Sequence, residues 1–364
     1  MTALGDSPVM APAPSAPLRP AWAEIELSAI RHNAGVLVEL ARPAQLCAVV
    51  KAWAYGHGPV RVARAAIEGG ATWLAVALVE EGRQLRSAGI EAPVLLLSEP
   101  TEPAMAEVVR SALTPTLYTE AGVAALVAEV AASGRSDPLP VHVKVDTGMH
   151  RVGASPEGAA RVALAVAAHP ELHLEGLWTH FAVADEPESP HTAEQLARLL
   201  LVAEQLASLG VRPTMLHAAN SAGTLYHPAS RLDMVRCGVA LYGLAPSSEM
   251  DGREPAARLR PALSLRARVS FVKEVEAGER LSYGLRYTVP KRSVVATVPL
   301  GYADGVTRSL AAQGGQVLIG GRRYPIAGAV TMDQILVDCG PDADVALGDV
   351  AVLLGRQGGE EISA

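Results

Sequence analysis

The sequence predicts an α/β chain in two parts: a (β/α)8 barrel of the TIM type, then a mostly-β C-terminal domain. Three observations carry this. Residues 28–245 alternate short, nearly continuous apolar runs with longer Ala- and Leu-rich stretches, the texture of strands buried on both faces and of the helices that cover them. About eight such strand-then-helix units favour a closed barrel over an open doubly wound sheet. From residue 259 to 364 the runs become short, Val-rich and punctuated by Gly and Pro, which reads as strands without helices. A length of 364 residues with 49% hydrophobic content suffices for two cores.

Taken in order, residues 1–21 lack both a basic start and an uninterrupted apolar run, so they are expected to be a disordered leader and not a signal peptide. Residues 22–27 alternate and are expected to form an extra strand packing on the β domain. Barrel strands are expected at 45–50, 73–77, 94–97, 116–117, 141–145, 174–179, 215–218 and 234–236. Helices are expected at 59–68, 80–88, 120–132, 156–168 and 193–209, with apolar positions of 120–132 recurring at three- and four-residue spacing. Segment 245–260 reads as a linker. Strands of the second domain are expected at 263–275, 292–299, 315–319, 334–338 and 349–354.

The net charge of −7, with no basic block, argues against nucleic acid as a partner. No apolar run reaches the roughly eighteen residues needed to span a bilayer. Cys47, Cys237 and Cys339 are widely spaced without CxxC pairing, which fits reduced core thiols better than disulfides or a zinc site. The expectation is a soluble cytoplasmic protein that binds no metal.

Chemistry concentrates where expected strands end. AVVKAWAYGHG runs a buried strand into Lys51 and then into a glycine-punctuated loop; carboxyl ends of barrel strands carry catalytic groups, and an amine kept dry there can form a Schiff base. The bland reading is a lysine reaching out to solvent. Tyr55, four residues on, could meet a phosphate or pack. In VHVKVDTGMHRVG, alternation puts Val141, Val143 and Val145 on one face and Lys144 and Asp146 on the other, while Arg151 follows a turn and could grip a carboxylate in two-pronged fashion. A structural Lys–Asp–Arg ion network is the alternative. Three further strand ends bring His180, Asn220 with Ser221, and Arg236. The Ser221 hydroxyl and the amides of Gly238 and Val239 are candidate phosphate ligands. The β region adds Ser282-Tyr283-Gly284, the turn around Tyr302 and the segment around Met332, each a plain turn if taken alone.

In this order and spacing, from Trp22 to the chain end, the segments resemble the alanine racemase family: AVVKAWAYGHG, HVKVDTGM with RVG, THFAVAD, HAANSAGT, RCGVALYGLAPS, SYG, PLGYADG and TMDQ. The resemblance implies a barrel and a β domain, with active sites shared across a homodimer. It implies pyridoxal 5'-phosphate held as a covalent aldimine on Lys51, and a two-base inversion of alanine that supplies D-alanine for peptidoglycan. Lys51 would take the proton from D-alanine and the partner's Tyr283 from L-alanine. Arg151, Tyr302 and the Met332 backbone would hold the substrate, and Tyr55, Ser221, Gly238 and Val239 the phosphate. His180 and Arg236 would ease Tyr283 into acting as a base, with Arg236 facing the cofactor's ring nitrogen.

The chain departs from the family pattern at Trp53, His150 and Ala329, where Asp, Gly and Arg are usual. Relatives also continue past this chain's end, through a tyrosine on the cofactor phosphate and a closing β segment, so a C-terminal truncation is expected. Lys144 corresponds to a position that can be carbamylated in relatives. Three rival readings stay open: a broader small-amino-acid racemase, a cofactor-binding barrel of low turnover, and a basic amino-acid decarboxylase. The last would pair the ring nitrogen with a carboxylate, where this chain offers Arg236. A metal-dependent hydrolase would want His-x-x-x-His support that His180 and His217 lack.

Overall fold

The computed structural model describes residues 18–364, which divide into two compact units: Ile25–Ala262, and Leu263–Ala364 together with the segment ending at Glu24. Most of the expected leader, residues 1–17, lies outside the described residues, and Ala21 already belongs to β1 (Ala21–Ile25). That strand stops short of residue 27. Glu26 turns out of it and accepts the N–H of Ser28 at 3.2 Å, capping α1 (Leu27–Ala41).

The first unit then runs β2 (Gln45–Val49), a single turn α2 (Lys51–Tyr55), α3 (Pro59–Glu68), β3 (Trp73–Val76), α4 (Val79–Ser87), β4 (Val94–Leu96) and α5 (Met105–Arg110). It continues with β5 (Thr116–Leu117), α6 (Glu120–Ser133), β6 (Leu139–Lys144), α7 (Pro156–Ala167), β7 (Leu172–Trp178), α8 (His191–Ser208), β8 (Met215–His217), α9 (Ser221–Tyr226) and β9 (Met234–Cys237). The strands pair in parallel as β4-β3-β2-β9 and β5-β6-β7-β8. Two seams close the ring: Leu96 N–H donates to Thr114 O at 2.9 Å, and Arg236 N–H donates to Ala219 O at 2.9 Å. This is the expected eight-stranded barrel.

Strand alternation divides its apolar side chains into two layers. Leu46, Ala48, Leu74, Leu96, Val141, Val143 and Val235 face the helices, while Cys47, Val49, Trp73, Ala75, Leu95, Met215 and Met234 pack together inside the barrel. Segment 245–260, expected as a linker, is tied to α1: Asn33 donates to Arg260 O at 2.8 Å and accepts the Arg260 N–H at 2.8 Å. Among the described residues no helix is long and apolar enough to cross a membrane.

The second unit contains β10 (Leu263–Arg268), β11 (Phe271–Val275), β12 (Arg280–Leu281), β13 (Tyr287–Thr288), β14 (Ser293–Val298), β15 (Gln316–Ile319), β16 (Arg322–Pro325), β17 (Ile335–Asp338), β18 (Val350–Gln357) and β19 (Glu360–Ile362). One sheet is ordered β1-β10-β18-β15-β16 with β19 beside β18; β11-β14-β17 and β12-β13 form two smaller ones. Ala267, Val298, Val317, Ile319, Ile335, Val337 and Leu353 fill its core. The run 263–275, expected as one strand, is two: β10 pairs with β18 and β11 with β14.

Candidate active site

Inward positions of barrel strands fall every second residue, so the last inward position of each strand and the residue two beyond it surround one mouth. Lys51, Lys144, His180 and Arg236 arrive there in this way, from β2, β6, β7 and β9. With Tyr55, Arg151, Ser221, Gly238 and Val239 they line a cavity of about 500 Å³. That lies within the roughly 300–1,000 Å³ of small-molecule sites. Four of the lining side chains are cationic types, Lys51, Lys144, Arg151 and Arg236, against Asp185 as the acid. The cavity is built for an anion.

Lys51 opens α2, whose handedness is unusual. Ala52, Trp53, Ala54 and Tyr55 all have positive φ, between 52° and 57°. A left-handed turn of four non-glycine residues costs roughly 1–2 kcal/mol per residue, so the surroundings must enforce it. Glu81 does so from α4: one carboxylate accepts the N–H groups of Ala52 at 2.5 Å, Ala77 at 2.9 Å and Leu78 at 3.1 Å, joining the loops after β2 and β3. Tyr242 holds the other side, its hydroxyl donating to Val49 O at 2.9 Å and its ring lying 4.7 Å from that of Tyr55. The turn reverses the chain within four residues and returns Tyr55 to the cavity that Lys51 lines. Trp53 is carried outward and is 61% exposed, so it does not crowd the cavity.

Tyr55 then defines a cradle. Its hydroxyl lies so close over Gly238 that a Cβ there would be 2.4 Å from it; only glycine leaves the phenol room above this backbone. Beneath, the buried Ser221 Oγ accepts the N–H groups of Gly238 at 3.1 Å and Ala240 at 3.2 Å. A phenol, a hydroxyl and loop amides thus converge beside a cation-lined cavity, which is the donor set a phosphate requires. The residues present fit pyridoxal phosphate.

Arg236 is buried and engaged through both terminal nitrogens. Its guanidinium donates to Thr179 O at 2.8 Å and Ala218 O at 3.1 Å, meets His217 Nδ1 at 2.8 Å and faces His180 Nδ1 at 3.3 Å. Beyond His217 the contacts continue through His142 at 2.8 Å to Glu175 at 3.3 Å. Burial, reinforced by the Arg236 charge, pushes His180 down to about 2 and His217 well below its usual range, so both rings are neutral acceptors. Burial also lowers Arg236, but only to about 10, and it remains a cation near neutral pH.

Lys144 stands 4.3 Å over the Trp178 ring, and burial together with Arg236 and Arg151 lowers it to about 7. The unfolded lysine holds its proton to 10.5, so between about pH 7 and 10.5 the unfolded chain binds more protons and stability rises with pH. Lys144→Met is therefore expected to be stabilising by a few kcal/mol below pH about 7, with the difference gone above about 10.5. Denaturant melts at both ends of this window check it. The alternative reading, a Lys–Asp–Arg ion network, is not formed: Asp146 accepts from Gly148 N at 3.1 Å, from His150 N at 3.0 Å and from the His150 ring at 3.1 Å. His150 sits at φ 54°, which explains why glycine suits its position.

Tyr283, Tyr302 and Met332 belong to the second unit and are 76%, 41% and 53% exposed. Tyr302 N–H donates to Thr331 O and Ala303 N–H to Met332 O, each at 3.0 Å, so the Tyr302 and Met332 loops form one platform. Tyr283 lines a cavity of about 850 Å³ in that unit with Arg286, Arg308 and Ala329. Sequence reasoning missed Glu81, Tyr242 and the His142–His217 pair. His142 had a signal, since it shares the inward face of β6 with Lys144.

Comparison with known proteins bears on this arrangement. The family model "Alanine racemase, N-terminal domain" matches residues 25–246, and "Alanine racemase, C-terminal domain" matches 262–364. An alanine racemase of Symbiobacterium thermophilum is 47% identical, the match covering 95% of this chain and 90% of the relative. Among solved structures, alanine racemase from E. faecalis superposes with a TM-score of 0.87 at 39% identity, covering 95% of this chain and 91% of that one. Histidine racemase from Leuconostoc mesenteroides gives 0.86 at 30%, covering 96% and 91%.

Proposed function

The chain belongs to the alanine racemase family of pyridoxal-phosphate-dependent isomerases, and from that premise we propose which of its residues interconvert L- and D-alanine. When bound, pyridoxal phosphate supplies the electron sink that makes the Cα–H bond of alanine labile. Lys51 Nζ holds the cofactor and exchanges a proton on the D side of Cα. Tyr283 Oη, reaching the site from the partner subunit of a homodimer, exchanges one on the L side. Inversion needs a proton donor on each face of a flattened Cα, and two groups from different chains meet that need. Tyr55, Ser221, Gly238 and Val239 hold the phosphate; Arg151, Tyr302 and the Met332 amide hold the carboxylate. His180, kept neutral, and Arg236, kept charged, fix the electrostatics around the reacting atoms.

The observation that carries this reading is the placement of Lys51 beside the Tyr55–Gly238 cradle in a cation-lined cavity. The exposure of Tyr283, Tyr302 and Met332 supports the shared-site arrangement. A cytoplasmic location, where D-alanine would be made for peptidoglycan, is supported by three buried free thiols, a usage typical of reducing compartments. The test is decay of optical rotation in L-alanine by protein that shows the cofactor's visible absorbance. Absorbance without racemisation would favour a low-turnover binding protein. Tyr283→Phe is expected to lower kcat by about 10²–10⁴-fold, the usual weight of a general acid–base group.

A further inference from the structure

Ser282, the residue before Tyr283, has φ 61° and ψ −175°. This backbone region is essentially reserved for glycine, and a residue with a Cβ persists there only when its surroundings over-determine it. Two contacts do so. The Ser282 hydroxyl donates to the carbonyl of Ala329 at 2.7 Å. Behind it, Gly328 has φ 82°, and a Cβ added there would lie 2.7 Å from Ser282 Cβ and 2.8 Å from Leu281 O. Serine and glycine are interlocked, leaving the turn no slack on that side.

The ends of the turn are fixed as well. Leu281 pairs with Tyr287 across the β12–β13 hairpin, and the Tyr287 hydroxyl donates to Asp338 at 2.7 Å. Within it, Leu285 N–H returns to Ser282 O at 3.1 Å. From this braced frame Tyr283 projects, the residue being 76% exposed.

We propose that Ser282 is a positioning residue for Tyr283: its strained backbone, held by the hydroxyl bond to Ala329, fixes the direction in which the phenol leaves the turn. Glycine would adopt the same backbone without strain but could not make the tie. Serine keeps the strain and gains rigidity in a residue that must meet Cα from outside its own chain. This inference rests on the reading of Tyr283 as the L-side proton-transfer group.

That reading also provides a readout which a merely structural role would not move. Only the L-side proton passes through Tyr283, so misaiming it slows one of two proton transfers and leaves the Lys51 side intact. D-alanine in deuterated water should then exchange its Cα hydrogen and return to D-alanine more often before inverting. For Ser282→Ala and Ser282→Gly holoenzymes, the ratio of exchange without inversion to racemisation should rise about tenfold or more, with kcat falling and KM for alanine little changed. The deuterium isotope effect measured from Cα-deuterated L-alanine should rise as well. An unchanged exchange ratio in both variants overturns the proposal, even if kcat or thermal stability drops. Tyr283→Phe run in parallel separates the two layers. If it leaves racemisation intact, the Tyr283 assignment falls and Ser282 with it. If it shifts the exchange ratio while both Ser282 variants do not, only the role of Ser282 falls.

Discussion

Lys51→Ala should abolish racemisation in both directions, lowering kcat by more than about 10⁴-fold, because in the proposed assignment this amine would both hold the cofactor and move a proton at Cα. The loss should be catalytic and not a failure to fold. Lys51 lines the cavity at the end of β2, while the left-handed turn after it is held through the Ala52 amide, which an alanine at 51 leaves in place. The variant's melting temperature should therefore stay near that of the parent. Borohydride reduction of the loaded parent, followed by peptide mapping, should put the cofactor on the peptide containing Lys51. An adduct at any other position, or none, would remove the basis of the site assignment.

Arg236→Glu has the second largest expected effect, and it changes the outcome of the reaction as well as its rate. In the proposed assignment Arg236 would face the cofactor's ring nitrogen, where a cation would disfavour protonation and so limit the ring's capacity to hold charge. A carboxylate in its place would favour the protonated ring and with it transamination, in which alanine would leave as pyruvate and its amino group would stay on the cofactor. Pyruvate formed per racemisation turnover should rise about tenfold or more, the effect of one pKa unit at that nitrogen. A second consequence follows from the hydrogen bonds: Thr179 O and Ala218 O lose their shared donor, at about 1–3 kcal/mol for each left unsatisfied. His217 and His180 also lose the neighbouring cation that helps depress them, so both shift upward. An unchanged pyruvate yield in a folded variant would refute the role given to Arg236.

The barrel was legible because each strand is a short apolar run that must be covered on two sides, and the distance between runs leaves room for a helix. Helix α1 was not anticipated, and the reason is one residue. Asn33 sits within the buried stripe of Ile30, Ala34, Leu37 and Ala41, breaking the apolar period. It is accommodated there because its amide bonds Leu241 O at 3.0 Å and both backbone groups of Arg260. The same bonds explain why segment 245–260, polar and Pro-containing, folds against the barrel and does not serve as a linker.

In the site, Lys51, His180 and Arg236 could be read from their places at strand ends, and Ser221 and Gly238 from the loops that follow. What stayed hidden depends on backbone conformation. Nothing in Val-Glu-Glu-Gly marks Glu81 as the carboxylate that grips three amides, and nothing in Leu-Ser-Tyr-Gly announces that the serine occupies glycine's territory. Such roles exist only after distant loops have met.

The inverted turn after Lys51 has one more implication. Its torsion angles are those that mirror-image amino acids adopt at ease, so D-alanine at positions 52 and 54 would sit without penalty in a shape that L-residues adopt only at a cost, relieving roughly 1–2 kcal/mol at each. Next to the lysine proposed to hold the cofactor, the chain thus carries two L-alanines in the backbone conformation natural to the D-enantiomer.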